Sequence, residues 1–193
     1  MSYVPGGTEM ETASGLYMDL AAPDPSSVRL EDVAHHLSQT CRYTGATSRH
    51  YSVAEHAVLV ALKLAHDGHS PLVQIAGLHH DDAEAYVGDN SRPLKACVPQ
   101  LRDLERTVFE AVVSALGLHL VPFDDPAVKA ADDWALAAEA WHLLPSRGRS
   151  WFCDGLYDPV GRYPSLWQLG MSAEDAERMW MREHRCLVAR CSW

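Results

Sequence analysis

The seven residues Leu78-His79-His80-Asp81-Asp82-Ala83-Glu84 bring two imidazoles and three carboxylates to the end of an apolar run. Neighbouring helix positions lie about 100 degrees apart, so His80 and Asp81 can lean into one concave site, with Glu84 one turn later on the same side. Neutral imidazole nitrogen and carboxylate oxygen suit a divalent ion such as zinc, cobalt, manganese, iron or nickel, and the absence of a nearby thiolate argues against a purely structural zinc. Two adjacent ligands do not complete a coordination sphere, so others must come from other helices. His56 is the first candidate, because among Val53, Ala57, Leu59 and Val60 an unpaired buried ring would be costly. Asp132 is the second: it shares its helical face with Val128, Ala135, Leu136 and Leu143, whereas Asp133 lies on a less apolar one.

Helices must position these groups. Apolar residues at helical spacing (Leu30, Val33, Ala34, Leu37) predict a first helix that ends before Gly45. Ser52 and Glu55, three apart, read as a capping box that opens a second helix over Val53 to Ala65, stopped by Gly68. Pro71 opens a third that is expected to run to about Ala85, carrying the His-Asp pair in mid-helix, with a basic and polar loop after Gly88 and Pro93. A fourth spans Pro99 to Leu116, and a fifth Asp125 to Leu144 with Asp125 as its cap. Ser146 to Pro164 reads as a long loop, within an insertion of about 146–170, before a last helix from Ser172 to about Ala189. Residues 1–27 are mostly loop, with a short strand or hairpin arm at Gly15 to Leu20. The expected architecture is therefore all-α: a single domain over 1–193 with about six main helices and a short N-terminal extended segment.

Composition narrows the function. In 193 residues, 16 basic against 26 acidic side chains leave a formal charge of -10, which opposes a nucleic-acid polymer or an anionic membrane as partner. With 47% hydrophobic and 22% charged residues the chain is expected to fold rather than stay disordered. The longest uncharged stretches, Gly68 to His80 and Ala111 to Phe123, are too short to span a bilayer. The N-terminus lacks the pattern of a secretory signal, so a cytoplasmic address is expected. Five Cys without a CxxC pair fit reduced, structural thiols.

The order of these signals resembles the HD-domain metal-dependent phosphohydrolases: a His on one helix, a contiguous His-Asp pair on the next, a distant Asp on a later one. The blocks Leu30-Glu31-Asp32-Val33-Ala34-His35-His36-Leu37-Ser38, Cys41-Arg42-Tyr43, Tyr51-Ser52-Val53-Ala54-Glu55-His56, Glu84-Ala85-Tyr86-Val87-Gly88-Asp89, Arg92-Pro93-Leu94-Lys95 and Val128-Lys129-Ala130-Ala131-Asp132 resemble its 5'-deoxynucleotidase branch, phage-type members included. The resemblance runs from about Gly15 to the last helix. It implies an HD-domain helical bundle whose metal (Co, Mn, Zn, Fe or Mg) is held by His56, His80, Asp81 and Asp132. It implies that Glu84 and Asp89 handle the water and the leaving-group proton. Arg42, Lys95 and Arg92 would contact phosphate, and Tyr43 would lie near the sugar and base. The implied reaction is hydrolysis of a 5'-(deoxy)nucleotide, either a monophosphate or a purine deoxynucleoside triphosphate such as dATP, and relatives of this kind associate into homo-oligomers. Ala46 departs from the pattern, since many phage-type relatives carry a His there.

Plainer roles are expected for the rest. Asp82 is expected to face solvent, His79 to pack or sit at a helix surface, and Glu139, two turns beyond Asp132, to make a buried structural hydrogen bond. Met179-Trp180-Met181 reads as packing. The competing functions are a catalytically inactive metal-binding sensor or assembly module and a hydrolase of a signalling nucleotide. Retention of Glu84, Asp89, Arg42 and Lys95 favours the active enzyme.

Overall fold

Met10 and Met18 face each other across an antiparallel hairpin of β1 (Glu9–Glu11) and β2 (Tyr17–Asp19), and Met18 is fully buried. The connecting turn uses Gly15 at φ 79°, a left-handed conformation that costs glycine little. The hairpin is tied to α1 (Leu30–Gln39) because Asp32, in its first turn, accepts from the Ser14 amide (2.8 Å) and hydroxyl (2.7 Å). This computed structural model describes residues 7–149 and 169–191.

The bundle is all-α apart from that hairpin. Its centre is α2 (Val53–His66), a helix apolar on nearly every side and packed against α1, α3 (Pro71–His79), α7 (Pro126–Leu143) and α8 (Ala173–Val188). The other elements are α4 (Glu84–Val87), α5 (Arg92–Cys97) and α6 (Gln100–Leu116), and one contiguous buried cluster runs from Met18 to Leu187. The expected caps are present: Ser52 Oγ accepts from Glu55 N at 3.1 Å, Asp125 from Ala127 N at 2.8 Å, Ser172 from Asp175 N at 3.1 Å. Gly117 closes α6 in the left-handed conformation. No helix among the described residues is long and apolar enough to cross a membrane.

Four expectations need correction. The third helix does not run to Ala85. It ends at His79, and residues 80–83 wind more tightly, with bonds from Asp82 N to His79 O, Glu84 N to Asp81 O and Tyr86 N to Ala83 O. The supposed loop after Pro93 contains α5, which Ser91 caps and whose first turn accommodates Pro93. The capping box is half made, because the Glu55 carboxylate accepts instead from the amides of Gly170 (2.7 Å) and Met171 (3.2 Å), where the chain enters α8. Asp82 is buried rather than solvent-facing, for a reason found in the same tight winding. Most of the 146–164 loop lies outside the described residues.

Candidate metal centre and anion cleft

Four side chains converge where α2, the end of α3 and α7 meet. His56 Nε2 stands 3.3 Å from His80 Nε2, 3.6 Å from Asp81 Oδ2 and 3.4 Å from Asp132 Oδ1. His80 Nε2 is 3.2 Å from Asp81 Oδ2 and 4.0 Å from Asp132 Oδ1. His56, His80 and Asp81 are the tightest group, with ligand atoms within 4.8 Å of one another. Asp132 approaches from α7, its other oxygen held by Lys129 at 3.0 Å.

The far side of each ring fixes its orientation. His56 Nδ1–H donates to Glu139 Oε1 (2.5 Å), and His80 Nδ1–H donates to the Gly77 carbonyl (2.8 Å). Carboxylate and carbonyl oxygens accept only, so both Nε2 lone pairs are aimed at the same space. Outer hydrogen bonds of this kind are typical of imidazoles that ligate a metal.

The charges point the same way. Burial works against the Asp81 carboxylate, but His80, His56 and Arg42 outweigh it and hold the carboxyl well below its usual range. Burial opposes the Asp132 carboxylate likewise, and His56 and His80 hold it down. For His56, burial and Arg42 oppose protonation, yet Glu139 and Asp132 lift the ring to about 9. His80 is raised against its burial mainly by Asp81. The carboxylates thus demand positive charge, while two nitrogens 3.3 Å apart are poorly placed to be protonated together. A divalent cation satisfies both conditions with the imidazoles neutral, and the donor set fits one.

Tight winding at residues 79–84 sorts alternate side chains. Residues three apart eclipse in a 3-10 turn. Asp81 and Glu84 therefore share one side and line the cleft, while His79 and Asp82 share another and bury themselves, with His79 Nδ1 2.6 Å from Asp82 Oδ2. His184 Nδ1 meets His79 Nε2 at 2.9 Å, its ring stacked parallel to Trp180, and Trp180 Nε1 donates to the Leu78 carbonyl at 3.3 Å.

Glu84 is 93% buried, and its Oε2 has no hydrogen-bond partner among the described residues. Burial and the neighbouring Asp81 and Asp89 push its carboxyl far above the usual range, against Arg42 and Lys95. Arg42 is buried between two acids, Nη1 3.6 Å from Asp81 Oδ2 and Nε 3.3 Å from Glu139 Oε2. Tyr43 and Thr44 both adopt left-handed backbone, φ 57° and 52°, which non-glycine residues hold only under constraint. The constraint is visible: Tyr43 N donates to Asp89 Oδ2 (3.2 Å), and Tyr43 Oη donates to Glu139 Oε2 (2.8 Å).

Beside this centre opens a cleft of about 300 Å³, lined by His80, Asp81 and Glu84 on one wall and by Lys95, Arg102, Glu105, Arg106 and Phe109 on the other. The structure brings nine of the ten expected site residues to the metal centre, the turn above it or the cleft. Arg92 is the exception: its side chain is 69% exposed and pairs with Asp133 at 3.2 Å, touching the cluster only at Asp132 (4.0 Å). Lys95 does line the cleft, paired with Glu105 at 2.9 Å. Arg102, Glu105, Arg106 and Phe109 were not foreseen. Their signal was available, since these positions repeat at helical spacing on α6 as a charged stripe ending in an aromatic. Glu139 makes the buried hydrogen bond expected of it, but to four donors at once.

No protein-family model matches the chain. It is 36% identical over 135 residues to the uncharacterized protein RCAP_rcc00048 of Rhodobacter capsulatus, spanning 66% of this chain and 68% of that one. It is 31% identical over 142 residues to the uncharacterized protein YfdR of Escherichia coli K12, spanning 74% of this chain and 76% of the relative. At that identity and coverage, the chain belongs to the same protein family as YfdR and its Rhodobacter relative.

Proposed function

We propose that this chain is an HD-type, metal-dependent phosphohydrolase that acts on 5'-(deoxy)nucleotides. The observation that carries the reading is the pair of imidazoles, His56 and His80, whose Nε2 atoms face one another at 3.3 Å beside two carboxylates while Glu139 and Gly77 O hold their far nitrogens. His56, His80, Asp81 and Asp132 would hold the ion. When bound, a divalent ion supplies Lewis-acid polarisation of a phosphoryl oxygen and activates water.

The remaining groups support phosphate chemistry. Arg42 offers a buried guanidinium beside Asp81, placed to balance the charge that develops on a phosphoryl group. Glu84, its carboxyl pushed well above the usual range by burial and by Asp81 and Asp89, is placed to give a proton to a departing oxygen. Asp89, bonded to the Tyr43 amide, holds the turn that carries Arg42 and Tyr43. Lys95, Arg102 and Arg106 give an acidic protein a local cationic wall, and Tyr43 and Phe109 offer rings to a sugar or base. The deoxyribose preference rests on the resemblance of the motif blocks.

The test is direct. The protein, supplied with cobalt or manganese, is incubated with each 5'-mono- and triphosphate of the ribo- and deoxyribonucleosides, and products are separated by chromatography with Asp81→Ala as control. Release of phosphate, pyrophosphate or triphosphate from one class, lost in the variant, is the expected result. A metal-loaded protein that releases none of them refutes the reading and moves the weight to a signalling-nucleotide hydrolase or a metal-binding module.

A further inference from the structure

We propose that Glu139 is a positioning residue that holds the metal ligand His56 and the anion-binding turn Arg42–Tyr43 in one geometry, so that the two halves of the site are formed and lost together. The inference rests on the metal-dependent reading of the site and extends it to a residue that touches neither metal nor substrate.

Glu139 lies seven residues after Asp132 on α7, two turns along the same face, so one helix supplies a ligand directly and supports another through its partner. Its carboxylate is fully buried, and the donors are divided between its oxygens. Oε1 accepts from His56 Nδ1 (2.5 Å) and Tyr51 Oη (3.0 Å), on the metal side. Oε2 accepts from Tyr43 Oη (2.8 Å) and Arg42 Nε (3.3 Å), on the anion side. Because the two oxygens are one rigid group, a displacement that suits one side pulls the other out of line. The left-handed backbone of Tyr43 and Thr44 persists only where neighbours over-determine it, and the Tyr43 hydroxyl bond is one of those constraints. A carboxylate needed only to fill the core would have no reason to divide its four donors in this way.

The test uses the full chain with Co(II) as the metal probe and inorganic phosphate as the anion probe. Co(II) affinity is read by titration calorimetry and by the visible d–d bands of the bound ion, and phosphate affinity is measured on Co(II)-saturated protein. Glu139→Gln is expected to lower Co(II) affinity by about 10- to 100-fold, the usual effect of removing the outer partner of a ligating imidazole, and to shift the bands. Tyr43→Phe leaves the carboxylate and its packing in place yet is expected to lower Co(II) affinity by about two- to tenfold, the worth of one hydrogen bond. Tyr51→Phe, which removes a donor from the metal-side oxygen, is expected to lower Co(II) affinity and, through the shared carboxylate, to weaken phosphate binding as well. A folded Glu139→Gln protein with wild-type affinity and bands overturns the proposal. So does a Tyr43→Phe protein whose Co(II) affinity is unchanged, which decides the matter even if Glu139→Gln fails to fold. A wild-type chain that binds Co(II) but hydrolyses no nucleotide refutes the nucleotidase reading alone, and these binding comparisons stand.

Discussion

Replacing His79 by Leu tests how the buried side of the 79–84 turn is held. His79 is wholly buried, donates to Asp82 Oδ2 at 2.6 Å and meets His184 at 2.9 Å. Leucine fills similar space but leaves Asp82, 1% exposed, without that donor, and its other oxygen already has no partner among the described residues. Breaking a buried pair from one side costs about 3–5 kcal/mol, and because burial already pushes the Asp82 carboxyl up it can relax by taking a proton, so about 3 kcal/mol is expected. Asp82→Ala strands the imidazole N–H instead, at about 1–3 kcal/mol. In the double variant no polar group of the pair is left buried, and the loss is expected to be no more than about 2 kcal/mol, chiefly cavity. For a double-variant loss of about 2 kcal/mol the coupling energy is then about −2 to −4 kcal/mol. Urea denaturation at pH 7 with chelator present, comparing midpoints at constant slope, measures all four proteins. A double variant that loses the full sum of the singles, or a His79→Leu protein within about 1 kcal/mol of wild type, would refute the account.

Three further outcomes follow from the site. Glu84→Gln should lower kcat by about 10²–10⁴-fold while leaving the melting temperature at or above wild type. Because the Glu84 carboxyl is raised by burial, Asp81 and Asp89, its ionisation opposes folding, so the variant's stability advantage should widen as pH rises; a narrowing gap would contradict the assignment. Arg42→Lys keeps a charge but gives up the fork that spans Asp81 and Glu139, so kcat/KM should drop by about ten- to hundredfold, the worth of one charged hydrogen bond; an unchanged value removes Arg42 from the phosphate site. Two buried groups set opposing pH slopes on stability. Glu55, raised to about 7 by burial, contributes stability that is present below about 4.5 and lost as pH rises through 7. His184, lowered to about 4 by burial and His79, contributes stability present above about 6.5 and lost as pH falls through 4. Denaturation between pH 4 and 7, with chelator, should show stability rising with pH more steeply in Glu55→Gln than in wild type, and less steeply in His184→Gln.

Helix ends and caps were legible because they depend on residues within a few positions: Ser52, Asp125, Ser172 and Gly117 act where their types predict. The clustering of His56, His80-Asp81 and Asp132 was legible because their order and spacing carry information beyond any one residue. What escaped depends on partners distant in sequence. Glu55 could be expected to close its own helix, but the amides of Gly170 and Met171 compete for it from 115 and 116 residues away. Arg92 looked like a phosphate contact until α7 brought Asp133 to it. Glu139 shows the limit most clearly, since its four partners come from 83 to 97 residues away and no local pattern announces a hub.

The tight winding after His79 explains why a sequence would place five ionisable groups in six residues of a buried turn. In a regular helix the 100-degree step would hold His79 and Asp82, and likewise Asp81 and Glu84, about 60 degrees apart around the axis rather than eclipsed. At three residues per turn the chain divides. Asp82 and His79 fall on the core side and hydrogen-bond one another, Asp81 and Glu84 fall on the cleft side, and His80 is left to donate to Gly77 O. The division also assigns opposite electrostatic fates to the cleft carboxyls. Asp81, against two imidazoles and Arg42, is held well below the usual carboxylate range; Glu84, three residues on and facing Asp81 and Asp89, is pushed well above it. Two carboxyls with separated proton affinities are what the proposed acid-assisted hydrolysis would use, and here the separation arises within one turn.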